Sequence, residues 1–435
     1  MKHPNGRRLA AIATTAAMGL AASLTVGAPA AAVEDDVPRT AFEESGGTAW
    51  TTLEEEQQFL AEVAAESDRV SVTELTTTPQ GRPVNLIQIG EEQRSPEELA
   101  ENSTALLLCL QHGNEPAGRE SCLSTLRDLA FDDSRRTERL LKKSSVLVIP
   151  TLNPDGRAAD QRRNSQSIDI NRDHLALETR EAQAVAQVLR DYDPDLVVDV
   201  HEYRGIPEVY DRDLIYLWPR NLNVDDQIHR ESRRLSLDYT EDSVTEAGFS
   251  TGIYGIVNSD PPRQVAGNED ERIFRNMSGL RHGTSMLTET YVPQKDGETP
   301  TENRNRRVDS HIAALNGALN MLRERGPSLD ALSDAAARLA TAEGRAGKGP
   351  FYLGGADNDP ATEEETIDEP PCSYLLTDGQ YGEVARTLDL HGIAVSKRGD
   401  GVKVSMGQPA RTVIPLLLDA RADYHVVEAT PVACG

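Results

Sequence analysis

The sequence predicts an α/β fold: a mostly parallel, mixed sheet with helices on both faces, plus a small C-terminal accessory domain. Three observations predict it. Four short apolar runs, at 105–110, 145–149, 195–200 and 285–288, are bounded by polar residues and have the near-unbroken hydrophobicity of strands buried on both sides. Segments with helical spacing alternate with them, most clearly 177–192, where Ala182, Val185, Ala186, Val188 and Leu189 gather on one side. Residues able to bind metal or move protons stand at the ends of three of these runs, and open α/β sheets bind ligands outside the carboxyl ends of their strands.

In chain order, Lys2, Arg7 and Arg8 precede an apolar stretch over 9–27, with small residues at Ala28, Ala30 and Ala32. That layout predicts a signal peptide over 1–32, a secreted or periplasmic protein and no membrane anchor. An acidic leader (33–46) follows. The principal domain is expected over 47–325 and begins with a helix at 53–65 and strands at 70–74 and 84–89 joined by a turn at Pro79-Gln80-Gly81-Arg82. The run 105–110 leads into a loop at 112–118 and a helix to about residue 130. The run 145–149 enters the turn Asn153-Pro154-Asp155-Gly156, and an amphipathic helix at 311–323 closes the region. Beyond it, 326–371 holds an Ala-rich helix and a linker, and 372–435 is large enough for the accessory domain, without a motif.

With a formal charge of −26 the chain would repel nucleic acid, which excludes that class of partner. Export permits disulfides among the four cysteines. Cys372 and Cys434 are the favoured pair, while Cys109 and Cys122 fit either a bridge or two buried thiols.

His112 and Glu115 follow the first apolar run, His201 the third and Glu289 the fourth. Two histidines and one glutamate are the donor count of a catalytic zinc, which keeps one position open for water. A further carboxylate outside that set can act as general base, and Glu289 is the candidate. An H-x-x-E pair alone is a weak signal; the four positions together are specific.

Taken in order, His112/Glu115, Asn171-Arg172, His201 and Glu289 make the chain resemble the zinc metallocarboxypeptidases, and the Asn153-Pro154-Asp155-Gly156 turn is similar to theirs. The resemblance spans about 47–325. It implies one Zn2+ per chain and peptide substrates with a free C-terminal carboxylate, held by Asn171 and Arg172. Arg162, matching the family's Arg-x-Asn spacing ahead of Asn164, would stabilise the oxyanion, with Arg163 as runner-up; Tyr254, between Gly252 and Gly255, would cap the substrate. His174 departs from the family pattern, and Arg281 and His282 have no assigned role. The alternative on the same fold is an amidohydrolase acting on N-acyl amino acids or on peptidoglycan stem peptides. A non-catalytic binding module is disfavoured because all four key positions are filled.

Overall fold

The structure, a computed structural model, describes residues 37–91, 102–257 and 264–434, so the expected signal peptide lies outside it. The central sheet has eight strands: β1 (Val70–Thr77), β2 (Pro83–Ile89), β3 (Ser103–Cys109), β4 (Ser144–Ile149), β5 (Leu196–Tyr203), β6 (Leu214–Leu217), β7 (Thr251–Ile253) and β8 (Thr284–Tyr291). Their spatial order is β1-β2-β4-β3-β5-β8-β6-β7. The centre, β4-β3-β5-β8, is parallel, and antiparallel pairings join it to β2 on one side and β6 on the other.

Alternation along β3 shows why its run is unbroken. Ala105, Leu107 and Cys109 face one hydrophobic cluster, built with helices α1 (Leu53–Glu66), α2 (Pro116–Phe131) and α5 (Pro300–Ala346). Leu106 and Leu108 face the opposite cluster, which includes Ala182, Val185, Val188 and Leu189 of α3 (Arg180–Tyr192) and Phe274 of α4 (Phe274–Leu280). With helices on both faces, neither set of side chains can be polar.

Two strands are longer than their apolar runs. β5 continues through His201 to Tyr203, and β8 through Glu289 to Tyr291, so both residues lie within strands and not after them. Polar side chains end the hydrophobic signal there, but backbone pairing persists in register, with His201 opposite Glu289 and Tyr203 opposite Tyr291.

The helix expected at 311–323 and the Ala-rich helix after 326 are one element, α5, with Pro327 inside it. Thr299 and Glu302 form a capping box and Pro300 opens the first turn. Pro327 removes one helical hydrogen bond, but buried Leu322 and Leu329 hold the helix on either side of it. At Gly326 a Cβ would lie 2.8 Å from Ser103 Oγ, so the helix packs almost backbone-on at the start of β3.

A second sheet follows, built from β9 (Ser373–Thr377), β10 (Val395–Arg398), β11 (Gly401–Ser405) and β12 (Thr430–Val432) in the order β10-β11-β9-β12, with α6 (Asp378–Leu390) beside it. Its core residues Tyr374, Leu388, Val404 and Leu416 share one cluster with Leu175, Met277 and Leu280. Bridges join Cys109 to Cys122 and Cys372 to Cys434. The described part of the acidic leader is packed: Phe42 stacks on Trp50 at 5.2 Å, and Glu43 pairs with Arg127 at 2.7 Å. Among the described residues no helix is long and apolar enough to cross a membrane.

Candidate metal centre and cavity

The chain turns sharply after β3. Leu110 takes a left-handed conformation (φ 51°), and His112 and Glu115 flank a loop whose next residues start α2. Gly113 is dictated by contact: a Cβ there would lie 2.0 Å from the Gly156 carbonyl carbon. The Asn153-Pro154-Asp155-Gly156 turn presses on this loop, and Asn153 fastens it by donating to the Gln111 carbonyl at 3.0 Å. The strong turn seen in the sequence is thus the clamp that shapes the histidine loop.

Ligand atoms of His112, Glu115 and His201, all buried, lie within 4.8 Å of one another. His112 Nδ1 is 2.9 Å from Glu115 Oε1; His201 Nδ1 is 3.1 Å from Glu115 Oε2 and 3.1 Å from His112 Nδ1. Two imidazole nitrogens and a carboxylate facing one point are stabilised by a cation between them. Burial opposes ionisation of Glu115, yet His112 and His201 hold it well below the usual carboxylate range. Burial likewise opposes charge on His201, while Asp199 and Glu115 raise its pKa above the usual imidazole range; a cation in the cluster would take the place of the Nδ1 proton.

The far nitrogens are fixed as well. His112 Nε2–H donates to Asp169 Oδ1 at 3.1 Å, and His201 Nε2–H to Asp199 Oδ1 at 2.8 Å. Each carboxylate places the proton on Nε2 and leaves the Nδ1 lone pair facing the cluster. Asp199 is held by Gln111 Nε2 at 2.6 Å, and Gln111 Oε1 accepts from His174 Nε2 at 2.7 Å. Burial lowers His174 to about pKa 4, so it is a neutral strut beneath the cluster. Sequence reasoning missed Asp169, Asp199 and Gln111; the one available signal was Asp199, an aspartate inside the apolar run that opens β5.

A cavity of about 520 Å³ opens over this cluster and is lined by Arg162, Asn171, Arg172, Tyr254, Arg275 and Glu289, among others. Glu289 stands beside His201 on the neighbouring strand, and burial lifts its pKa to about 7. Arg162 reaches the cluster: its Nε donates to Asp169 at 3.0 Å, and its Nη1 is 3.1 Å from His112 Nδ1. Arg163 does not line the cavity and turns to the Ser167 carbonyl. Arg172 is 38% exposed, with its Nη1 on the Asn171 carbonyl and Asp270 3.8 Å away, so it keeps donors free. Asn171 lines the cavity; its Oδ1 accepts from Phe274 N–H at 2.8 Å, and its Nδ2 lies 2.9 Å from His201 Nε2. Tyr254 lines the cavity, packed near Leu217 and Leu287, and burial raises its phenol pKa. Arg281 and His282 point elsewhere, to the carbonyls of Leu390 and Pro409 under the second sheet.

The donor set of two imidazoles and one carboxylate, each histidine backed by a second carboxylate, fits a catalytic zinc. The family model for zinc carboxypeptidase matches residues 56–268. The chain carries a zinc carboxypeptidase family domain. The matched span includes His112, Glu115, Arg162, Asn171, Arg172, His201 and Tyr254 and stops short of Arg275 and Glu289, which α4 and β8 supply. Carboxypeptidase 2 of Trichophyton tonsurans is 31% identical over 189 residues, 41% of this chain and 35% of that protein. Carboxypeptidase 2 of Trichophyton rubrum matches at 31% over the same shares of each chain. The chain spans half or less of the length of the curated relatives it matches. Among solved structures, a metallo-carboxypeptidase from Pseudomonas aeruginosa aligns at TM-score 0.49 and 20% identity, over 62% of this chain and 69% of that one.

Proposed function

We propose that this zinc carboxypeptidase domain releases the C-terminal residue of peptides, with one zinc per chain. The observation that carries the reading is the convergence of His112, Glu115 and His201 beneath a cavity where Glu289 stands in register beside His201. Zinc held by these three residues supplies Lewis acidity toward a carbonyl oxygen and toward water. Arg172, half-exposed in the cavity, receives the terminal carboxylate, for which a guanidinium fork is the matching shape. Glu289 takes a proton from water as that oxygen bonds to the scissile carbonyl carbon, and delivers it to the nitrogen as the C–N bond breaks. Arg162, whose Nη1 lies against His112 and Glu115 at the edge of the cluster, would offer charge to the developing oxyanion if those two residues held a metal. Tyr254 closes the wall on the substrate side.

The test is release of the terminal amino acid from a peptide library, read by mass spectrometry, together with metal analysis. Glu289→Gln is expected to keep one zinc per chain and to lose at least ~10²-fold in kcat. Near-full turnover in that variant would remove Glu289 from the mechanism. Hydrolysis of N-acyl amino acids with no peptide cleaved would favour the amidohydrolase alternative.

We also infer export. The basic, apolar and small-residue pattern of 1–32 supports it, as do two bridged cysteine pairs, which belong to an oxidising compartment. Amino-terminal sequencing of protein collected outside the cytoplasm tests this: a start at residue 31 or 33 is expected, and a retained residue 1 overturns it.

A further inference from the structure

Four guanidinium groups, those of Arg162, Arg172, Arg204 and Arg275, line the cavity. Arg204 is exposed, Arg172 is near Asp270, and Arg162 pairs with Asp169. Arg275 is different. It is 2% exposed, and among the described residues it has no carboxylate partner at ion-pair distance. Its Nη2 donates to the Asn268 carbonyl at 2.7 Å, its Nε has no partner, and the Tyr254 ring lies 5.9 Å from its guanidinium carbon.

Burial opposes charge on this guanidinium, Tyr254, Asp199 and Glu289 favour it only from beyond ion-pair distance, and no carboxylate touches it to offset the desolvation. A strut for the loop at Asn268 does not account for it. Asn276 Nδ2 already bonds the Asn268 carbonyl at 3.3 Å and the Asp270 carbonyl at 3.0 Å, and a strut would occupy one of five N–H donors. Ile273 and Leu287, also in the lining, leave Arg275 as the buried cation on this side of the cavity. Glu115 faces the metal cluster, Glu202 is bound to Arg307, and Glu289 and Asp199 act on Arg275 without reaching ion-pair distance, so none of them pairs with it directly.

We propose that Arg275 determines specificity by receiving the side-chain carboxylate of a peptide ending in glutamate or aspartate, while Arg172 holds the terminal carboxylate. The proposal rests on the carboxypeptidase reading. A neutral side chain in that place leaves the buried guanidinium unpaired, and sites built for a polar partner reject analogues lacking it strongly.

The experiment compares N-blocked peptides identical except for a terminal Glu, Gln, Leu or Lys, using the zinc-loaded full chain. kcat/KM for Glu is expected to exceed that for Gln and Leu by at least ~10²-fold. In Arg275→Met the Glu/Gln ratio should fall toward one, mostly through KM, and Arg275→Lys should restore part of it. A structural lesion would lower both rates and leave the ratio unchanged. Equal cleavage of Glu and Gln peptides by the unmodified protein overturns the proposal while leaving the carboxypeptidase reading intact. Should no peptide release its last residue, that reading fails, and calorimetry on Glu289→Gln protein still decides the site. Tighter binding of N-acetylglutamate than of N-acetylglutamine supports it, and equal affinity overturns it.

Discussion

At His201 the ring is oriented by what its far nitrogen meets. Asp199 can only accept a hydrogen bond, so it demands Nε2–H and frees Nδ1 for a metal. An asparagine there could donate instead and would allow the opposite tautomer. Asp199→Asn is therefore expected to weaken zinc binding by about 10–100-fold, measured by competition with a chromogenic chelator, with the fold retained by circular dichroism. An unchanged affinity would show that the ring is oriented by backbone and packing alone. The ligands themselves were legible because histidines are rare in this chain and stand where β3 and β5 leave the core. Their supporting carboxylates were not: one aspartate among 71 acidic residues carries no mark of its partner. Asn171 was legible as part of the motif, but its commitment to Phe274 could be seen only once α4 was in place.

Strand β5 shows how an element serves both stability and site. Its upper end carries Asp199 and His201; just before its lower end lies Asp195, buried, accepting from Thr104 N–H at 2.9 Å. Burial, with Asp330 and Asp193 nearby, raises Asp195 to a pKa of about 8. An unfolded aspartate titrates near ~3.9, so between about pH 4 and 8 the folded state binds the extra proton and stability falls as pH rises through that window. Asp195→Asn, which can still accept from Thr104, is expected to raise the melting temperature at pH 8 by ~2 °C or more and to change it little at pH 4. Equal effects at both pH values would show that Asp195 does not gain its proton on folding. The parallel centre of the sheet was readable from its apolar runs, since burial on both faces leaves no alternation. Strand ends were not, because His201 and Glu289 pair through the backbone while their side chains serve the cavity. The unity of α5 was hidden for a related reason: Gly326-Pro327 has the local chemistry of a helix end, and only packing against β3 overrides it.

At the scale of the molecule, α5 spans both sheets, and from Pro38 onward the chain forms one compact unit. The bridge Cys372–Cys434 closes a 62-residue separation around the second sheet. Losing it in a Cys372→Ser/Cys434→Ser protein should cost about 2–4 kcal/mol, read as an earlier denaturant midpoint. Because Leu175 and Met277 share that sheet's core, cavity and sheet should lose structure together; two separated transitions would show that the second sheet melts alone. The cavity with its four guanidinium groups belongs to a chain of formal net charge −26, and this pairing has a kinetic result. Every peptide arriving tail-first brings at least one anion, so the protein's outer field slows its approach, whereas the arginines act only after docking. Dissolved salt screens the distant repulsion within a Debye length of about 10 Å at 0.1 M and leaves the enclosed attraction largely intact. Capture at low substrate should therefore quicken between ~10 and ~300 mM NaCl, the reverse of an enzyme that steers its ligand in from afar.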